Sequence, residues 1–199
     1  RQGIEKSVWR GRIYKGSDIK KMWRGGRMLG FAGGLLILSG CFVYGMTYSI
    51  RLKKRIEILR DMINVFDRMK GFMGYSMLEM EDIFIRLDTY EYSVAVNGFI
   101  KSILIELKKS DIETFEQIWT SAVKKCFTGI LKSSEISVIA QTGRISDYLD
   151  KENQIKLIES AGYELKEILS TVKEGAPDKM KAYIITGLSV GLILVITLI

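Results

Sequence analysis

The chain is 199 residues long, carries a net charge of +7 at pH 7, and contains no histidine and only two cysteines. The missing imidazole removes the commonest general base and metal ligand and every histidine-based triad, and two cysteines build no disulfide framework. The positive charge is not a nucleic-acid footprint either. Residues 1–27 hold nine Lys/Arg against Glu5 and Asp18, whereas residues 51–181 hold 21 basic and 21 acidic side chains. A neutral body is not built to collect phosphates along a groove. No enzymatic activity, catalytic residue, metal site, cofactor or nucleic-acid partner is therefore expected.

Residues 1–27 form a basic arm that contains Met22 and ends just before Met28, the two methionine candidates for a start. The expectation is that translation starts at one of these two; the alternative is a short basic cytoplasmic arm. The glycine-rich "WRGGRMLGFAGG" within and after it lacks the Gly-Lys-Ser/Thr ending of a phosphate loop.

Two runs have the length and polarity of membrane spans. Met28–Ile50 is 23 residues without a charge, and Ala182–Ile199 is another 18. A hydrocarbon core of about 30 Å takes roughly 20 helical residues. Leu38-Ser39-Gly40-Cys41 has the form of a lipobox, which offers an alternative: an extracytoplasmic binding module lipidated at Cys41. The apolar run, however, continues through Phe42, Val43, Tyr44, Met46, Tyr48 and Ile50, where a lipoprotein turns polar. It then meets Arg51, Lys53, Lys54 and Arg55, which favour the cytoplasmic side and set the topology if the chain starts at Met22, where only Arg24 and Arg27 compete. With all 27 leading residues, nine basic residues compete with ten and charge does not decide. Reading the run as an anchor keeps residues 51–181 cytoplasmic. The small residues Gly30, Gly33, Gly34, Ser39, Gly40 and Gly45 make a face suited to close helix packing.

The 131 residues from Arg51 to Lys181 suffice for one small domain. Apolar positions Leu52, Ile56, Leu59, Ile63 and Phe66, widened by Met62, Val65 and Met69, predict a helix to about Lys70, broken by Gly71 and Gly74. A short helix follows at 77–87. Ser93 is placed to cap a third helix, to about Lys109. Ser110-Asp111-Ile112-Glu113 reads as a capping box for a fourth, which buries Phe115, Ile118, Trp119, Ala122 and Cys126 and ends at Gly129. A fifth spans 135–142 and stops at Gly143, read as a left-handed cap. Asp150 caps the longest helix, to about Glu174, with a seam of Ile155, Ile158, Gly162, Leu165, Leu169 and Val172. Gly175 and Pro177 are expected to interrupt it before the second apolar run. The fold class is all-α: two transmembrane helices flanking a bundle of roughly six helices, in which the two long helices pair antiparallel.

Several clusters have plainer readings than the functional ones they invite. Glu79, Glu81, Asp82, Asp88 and Glu91 read as a solvated face before a cation site. Met69, Met73, Met77 and Met80 read as core filling before an adaptable partner surface. Cys126, beside Lys124 and Lys125, reads as a buried small residue before a reactive thiol.

"LRDMINVFDRMKGFMGYSMLEM" (59–80) resembles the first signature of the stage III sporulation protein AB family. There an Arg-bearing helix runs into Tyr-Gly-x-Thr-Pro-Leu-x-Glu-Ala. Leu59, Arg60, Phe66, Met77 and Glu79 fit it, while Phe72 takes the Tyr place and Ser76 replaces the Pro. "LKSSEISVIAQTGRISDYLDKENQ" (131–154) is similar to the second signature, with Glu135, Gly143, Asp150 and Gln154 in register and Ser146-Asp147 in place of a Leu-Gly pair. The resemblance covers about 28–199. It implies a domain similar to the F-type inner-membrane platform of type II secretion systems, set in the mother-cell membrane around the forespore. It also implies a scaffold that docks a secretion-type ATPase to other membrane proteins of a sporulation channel. Arg60, Glu79, Glu135, Asp150 and Gln154 become candidate partner contacts, although helix capping alone favours the last three. Membrane lipid is a further expected partner through Arg51–Arg55. A homo-oligomer is compatible with the chain, and the sequence fixes no oligomeric state.

Overall fold

The computed structural model describes residues 16–75, 78–109, 114–147 and 150–198. At a number of helical positions, chiefly before residue 46, it gives the backbone alone. Six α-helices appear in chain order: α1 (Gly16–Tyr75), α2 (Met80–Leu87), α3 (Val94–Lys109), α4 (Phe115–Phe127), α5 (Ser133–Gln141) and α6 (Lys151–Leu198), with a 3-10 turn at Thr142–Asp147 between the last two. Among the described residues there is no β-strand.

The chain divides into two compact units. One comprises Thr47–Tyr183; the other draws on Arg1–Met46 and Ile184–Ile199. In the second of these, large apolar side chains lie outward: Leu36, Val43, Ile185, Ile193 and Ile196 are all exposed. Among the described residues no helix is long and apolar enough to cross a membrane. Both apolar runs, Met28–Ile50 and Ala182–Ile199, contain positions outside the description, and so does the side chain of Cys41.

Within Thr47–Tyr183 the helical seams bury as their spacing predicts. Leu52, Leu59, Met62, Ile63, Val65, Phe66 and Met69 of α1 are buried, as are Ile158, Leu165 and Leu169 of α6. The two helices run antiparallel in this unit. Tyr48 stacks on Tyr183 with ring centroids 3.6 Å apart. Farther along, Asp67 meets Lys166 at 3.2 Å, and Lys70 meets Glu159 at 3.1 Å. Rising numbers in α1 thus match falling numbers in α6.

The interior centres on Trp119 of α4, which is fully buried. Phe66, Phe84, Phe99 and Phe115 surround it with centroid distances of 6.4, 6.1, 5.0 and 5.7 Å. Four helices thereby send an aromatic ring to one point, where edge and offset contacts add to area burial. A buried indole still needs a partner for its N–H, and Trp119 Nε1 donates to the Ile139 carbonyl at 2.7 Å.

Five local expectations are corrected. α1 passes through Gly71 and Gly74 instead of breaking there. Each glycine costs about 1 kcal/mol relative to alanine, whereas burying Met69 and Met73 contributes about 1.5–3 kcal/mol apiece. Likewise α6 continues through Pro177. An interior proline costs about 3 kcal/mol, but contacts on both sides hold the helix: Leu169 and Ala176 buried before it, Tyr183 stacked on Tyr48 beyond it.

The third correction concerns α3. The Ser93 hydroxyl is buried without a hydrogen-bond partner, and the residue instead donates its backbone N–H to the buried carboxylate of Asp61 at 2.7 Å. The start of α3 is therefore tied to α1 and not self-capped. Fourth, α4 begins at Phe115, where Thr114 and Gln117 form the reciprocal capping box; Ser110–Glu113 lie outside the described residues. Both tetrads satisfy the Ser/Thr-x-x-Glu/Gln pattern, which is why the sequence misplaces the start.

Last, Gly143 is not a left-handed cap. It sits in the 3-10 turn, where an added Cβ would lie 2.7 Å from Trp119 Cδ1. The left-handed glycine is Gly129, at φ 84°, just past α4. The methionines resolve as core: Met69 and Met73 are buried and Met80 packs against the core, while Met77 lies outside the description.

Candidate functional site

The polar constellation of the domain lies near Tyr48, at the opposite end of the α1–α6 pair from Lys70 and Glu159. Its foundation is an ion pair between residues 80 apart in sequence. Arg55 Nε donates to both carboxylate oxygens of Glu135, at 3.0 and 3.1 Å, and Arg55 Nη2 reaches Oε1 as well. Glu135 is 1% exposed and the Arg55 side chain 15%.

α5 explains why a carboxylate tolerates this depth. Glu135 is the third residue of the helix and takes the backbone N–H of Lys132 at 2.8 Å, one of the donors that a helix start leaves unpaired. A buried ion pair adds little net stability over an apolar replacement, but removing one partner strands the other charge. The pair therefore fixes α5 against α1 in a single register.

Above this pair opens a cavity of about 430 Å³. α1 contributes Tyr48, Leu52 and Arg55; the start of α5 contributes Lys132, Ser134 and Glu135; α6 contributes Glu167, Thr171, Val172 and Lys179. Arg55 and Glu135 neutralise each other. The remaining charged groups are two ammoniums, Lys132 and Lys179, and one carboxylate, Glu167. A second groove, of about 350 Å³, runs between α1 and the start of α3, lined by Lys54, Glu57, Ile58, Ser93, Val94, Ala95 and Ile130. The hydroxyl of Tyr92, which precedes Ser93 in the chain, is buried and unpartnered. Burial pushes the Tyr92 phenol above its ordinary value, against the pull of nearby Arg68.

The sequence candidates do not converge on one place. Arg60 is exposed, with Nε 3.5 Å from Asp61. Glu79 is exposed at the start of α2 and makes no side-chain capping bond. Asp150 is exposed and accepts the Glu152 N–H at 3.3 Å, the local role that its place before α6 favours. Gln154 is half-buried in the first turn of α6. Glu135 is buried, so its contact is internal. Among the basic residues, Arg51, Lys53 and Lys54 are exposed and only Arg55 turns inward.

Glu79, Glu81, Asp82, Asp88 and Glu91 are all exposed, and among the described residues no group of acidic, cysteine or histidine side chains could hold a metal ion. The Cys126 thiol is half-buried and pushed up by that burial, with Ser102 and Lys125 pulling the other way, so it lacks the thiolate character of a reactive site.

Sequence reasoning missed Lys132, Lys179 and the Tyr48–Tyr183 contact. The spacing Lys132-x-x-Glu135 does carry a helix-start signal, and the fifth helix begins at Ser133, two residues earlier than expected.

A family model described as Stage III sporulation protein AB (spore_III_AB) matches residues 30–199. No curated protein and no solved structure matches the chain.

Proposed function

The chain belongs to the Stage III sporulation protein AB family, and on that premise we propose that it is a membrane-anchored scaffold of the sporulation feeding channel. Family membership implies a role in that channel and not in a known enzyme family. The finer reading is that two spans, 28–50 and 182–199, hold residues 51–181 at the cytoplasmic face of the mother-cell membrane around the forespore. There the helical domain docks a secretion-type ATPase to the channel's membrane proteins.

The observation that carries this reading is the Tyr48–Tyr183 stack. These rings stand at the inner ends of the two apolar runs, and they bring those ends together at one extremity of an antiparallel helix pair. Tyrosine is a residue of membrane–water interfaces, with an apolar ring and a polar tip. Two further features support it: the outward apolar side chains Leu36, Val43, Ile185, Ile193 and Ile196, and the exposed cations Arg51, Lys53 and Lys54 directly after the first run. Exposed large apolar side chains at these positions suit a membrane or a partner.

The experiment has two arms. In a background lacking Cys41 and Cys126, single cysteines at Thr89 and at the C-terminus are probed with an impermeant thiol reagent. The cells are intact and non-sporulating and express the full chain in their outer-facing cell membrane, where labelling of the C-terminal cysteine shows that the reagent reaches the protein. Thr89 should be protected until the membrane is opened. Affinity capture of the full chain from sporulating cells should bring down a secretion-type ATPase. Labelling of Thr89 from outside, or palmitate incorporation that disappears with Cys41→Ala, would replace the scaffold with the lipoprotein reading.

A further inference from the structure

We infer that the cavity between α1, α5 and α6 is a binding site for the phosphate of a phospholipid headgroup. The inference rests on the reading above, in which Tyr48 and Tyr183 lie at the bilayer surface.

The charge arrangement points to an anion. Glu135 already occupies the start of α5 through the Lys132 N–H, and its charge is met by Arg55. What the cavity still offers is the ammonium groups of Lys132 and Lys179, neither of which forms an ion pair among the described residues. Lys179 folds back along its own helix, with Cε and Nζ each 3.6 Å from a Cβ built on Gly175. The hydroxyls of Ser134 and Thr171 add donors beside the lysines. Charge-assisted hydrogen bonds from such groups suit a phosphodiester.

The apolar part of the wall distinguishes a lipid from a free anion. Leu52, Ile168 and Val172 share the lining with the lysines, and the Tyr48 ring stands at the border. A solute with a charged head and an apolar continuation satisfies both halves, whereas inorganic phosphate satisfies one. Glu167 limits the net attraction and disfavours a polyanion.

The test uses the full chain in a non-ionic detergent, with bound ligand read by native mass spectrometry. Three titrants separate the sources: dihexanoyl phosphatidylglycerol, glycerophosphoglycerol, and inorganic phosphate. The short-chain lipid should saturate at one per chain and bind more tightly than either water-soluble compound. Lys132→Ala combined with Lys179→Ala should weaken it about tenfold or more, as expected for two basic contacts near a membrane surface. Lys108→Ala with Lys109→Ala makes the same charge change at the exposed end of α3 and should alter affinity less than about twofold.

Both pairs are exposed lysines, and unchanged circular dichroism melts will show that the fold is intact. Equal losses in the two pairs, inorganic phosphate binding as tightly as the lipid, or no lipid adduct would each overturn the inference. The titration requires neither the ATPase nor a known topology, so a failed titration and a failed scaffold reading give different results.

Discussion

The two ends of the α1–α6 pair are built on opposite principles. Around Phe66 the interface is dry: Trp119 is fully buried amid four phenylalanines, and Gly143 lies under its ring with no room for a methyl group. Around Arg55 the same two helices part over a polar cavity, and what joins α1 to α5 is an ion pair. Dispersion and water exclusion are non-directional and fix a fold by filling space. An ion pair is directional and contributes register more than net stability. The aromatic end thus supplies stability and the ionic end register, and each role can be broken by substitution.

The largest effect should come from the aromatic end. Trp119→Ala removes the ring that four helices share and should cost about 3–5 kcal/mol, read from urea denaturation of the full chain in detergent by far-UV circular dichroism. A cost below about 1 kcal/mol would mean that the cluster is not the centre of the fold.

Next is the ionic end. Glu135→Ala strands Arg55 and removes the acceptor at the start of α5, for a loss of about 3 kcal/mol. Arg55→Met combined with Glu135→Gln should recover most of it, since glutamine still accepts the Lys132 N–H and no charge is left alone. If the double variant is as unstable as Glu135→Ala, the pair contributes stability and not merely register, and the contrast between the two ends weakens.

Gly143→Ala places a methyl 2.7 Å from the Trp119 ring and should cost about 1–3 kcal/mol. Trp119→Phe should partly rescue it, which a simple loss of helix-turn geometry would not allow. Smaller still, Thr114→Ala opens the reciprocal cap of α4 and should cost about 1 kcal/mol, with Gln117→Ala adding little on top. Last come the exposed pairs, Lys166–Asp67 and Lys70–Glu159, whose removal should cost no more than about 1 kcal/mol and less in high salt.

The aromatic end was largely legible in the sequence and the ionic end was not. Periodicity marks faces, and Leu59, Phe66, Phe99, Trp119 and Leu165 all sit where threes and fours place them. That Phe66 and Trp119 meet was not written in either pattern, but two apolar faces in one small domain have little choice. Arg55 and Glu135, by contrast, each carry a different local signal. One belongs to a basic cluster after an apolar run, the other to a helix start matching the family signature. Nothing local says that a charge turns inward to a partner 80 residues away.

Gly71, Gly74 and Pro177 carry local costs of about 1–3 kcal/mol, which the burial of Met69, Met73, Leu169 and Ala176 and the Tyr48–Tyr183 contact offset. At Gly143 the glycine answers to a close neighbour and at Gly129 to a positive φ, and the two requirements leave the same letter in the sequence. Only the neighbour, Trp119, distinguishes the two.

The α1–α6 contacts also act as a ruler. Tyr48 and Lys70 are 22 residues apart on one helix, about 33 Å at 1.5 Å per residue. Because both residues sit on one unbroken helix, the helix rise alone sets that interval, and α6 lies alongside it from Tyr183 to Glu159. A protein that grips the Lys70 end is thereby held at a set stand-off from the tyrosine pair, and one that touches both must itself be some 30 Å tall.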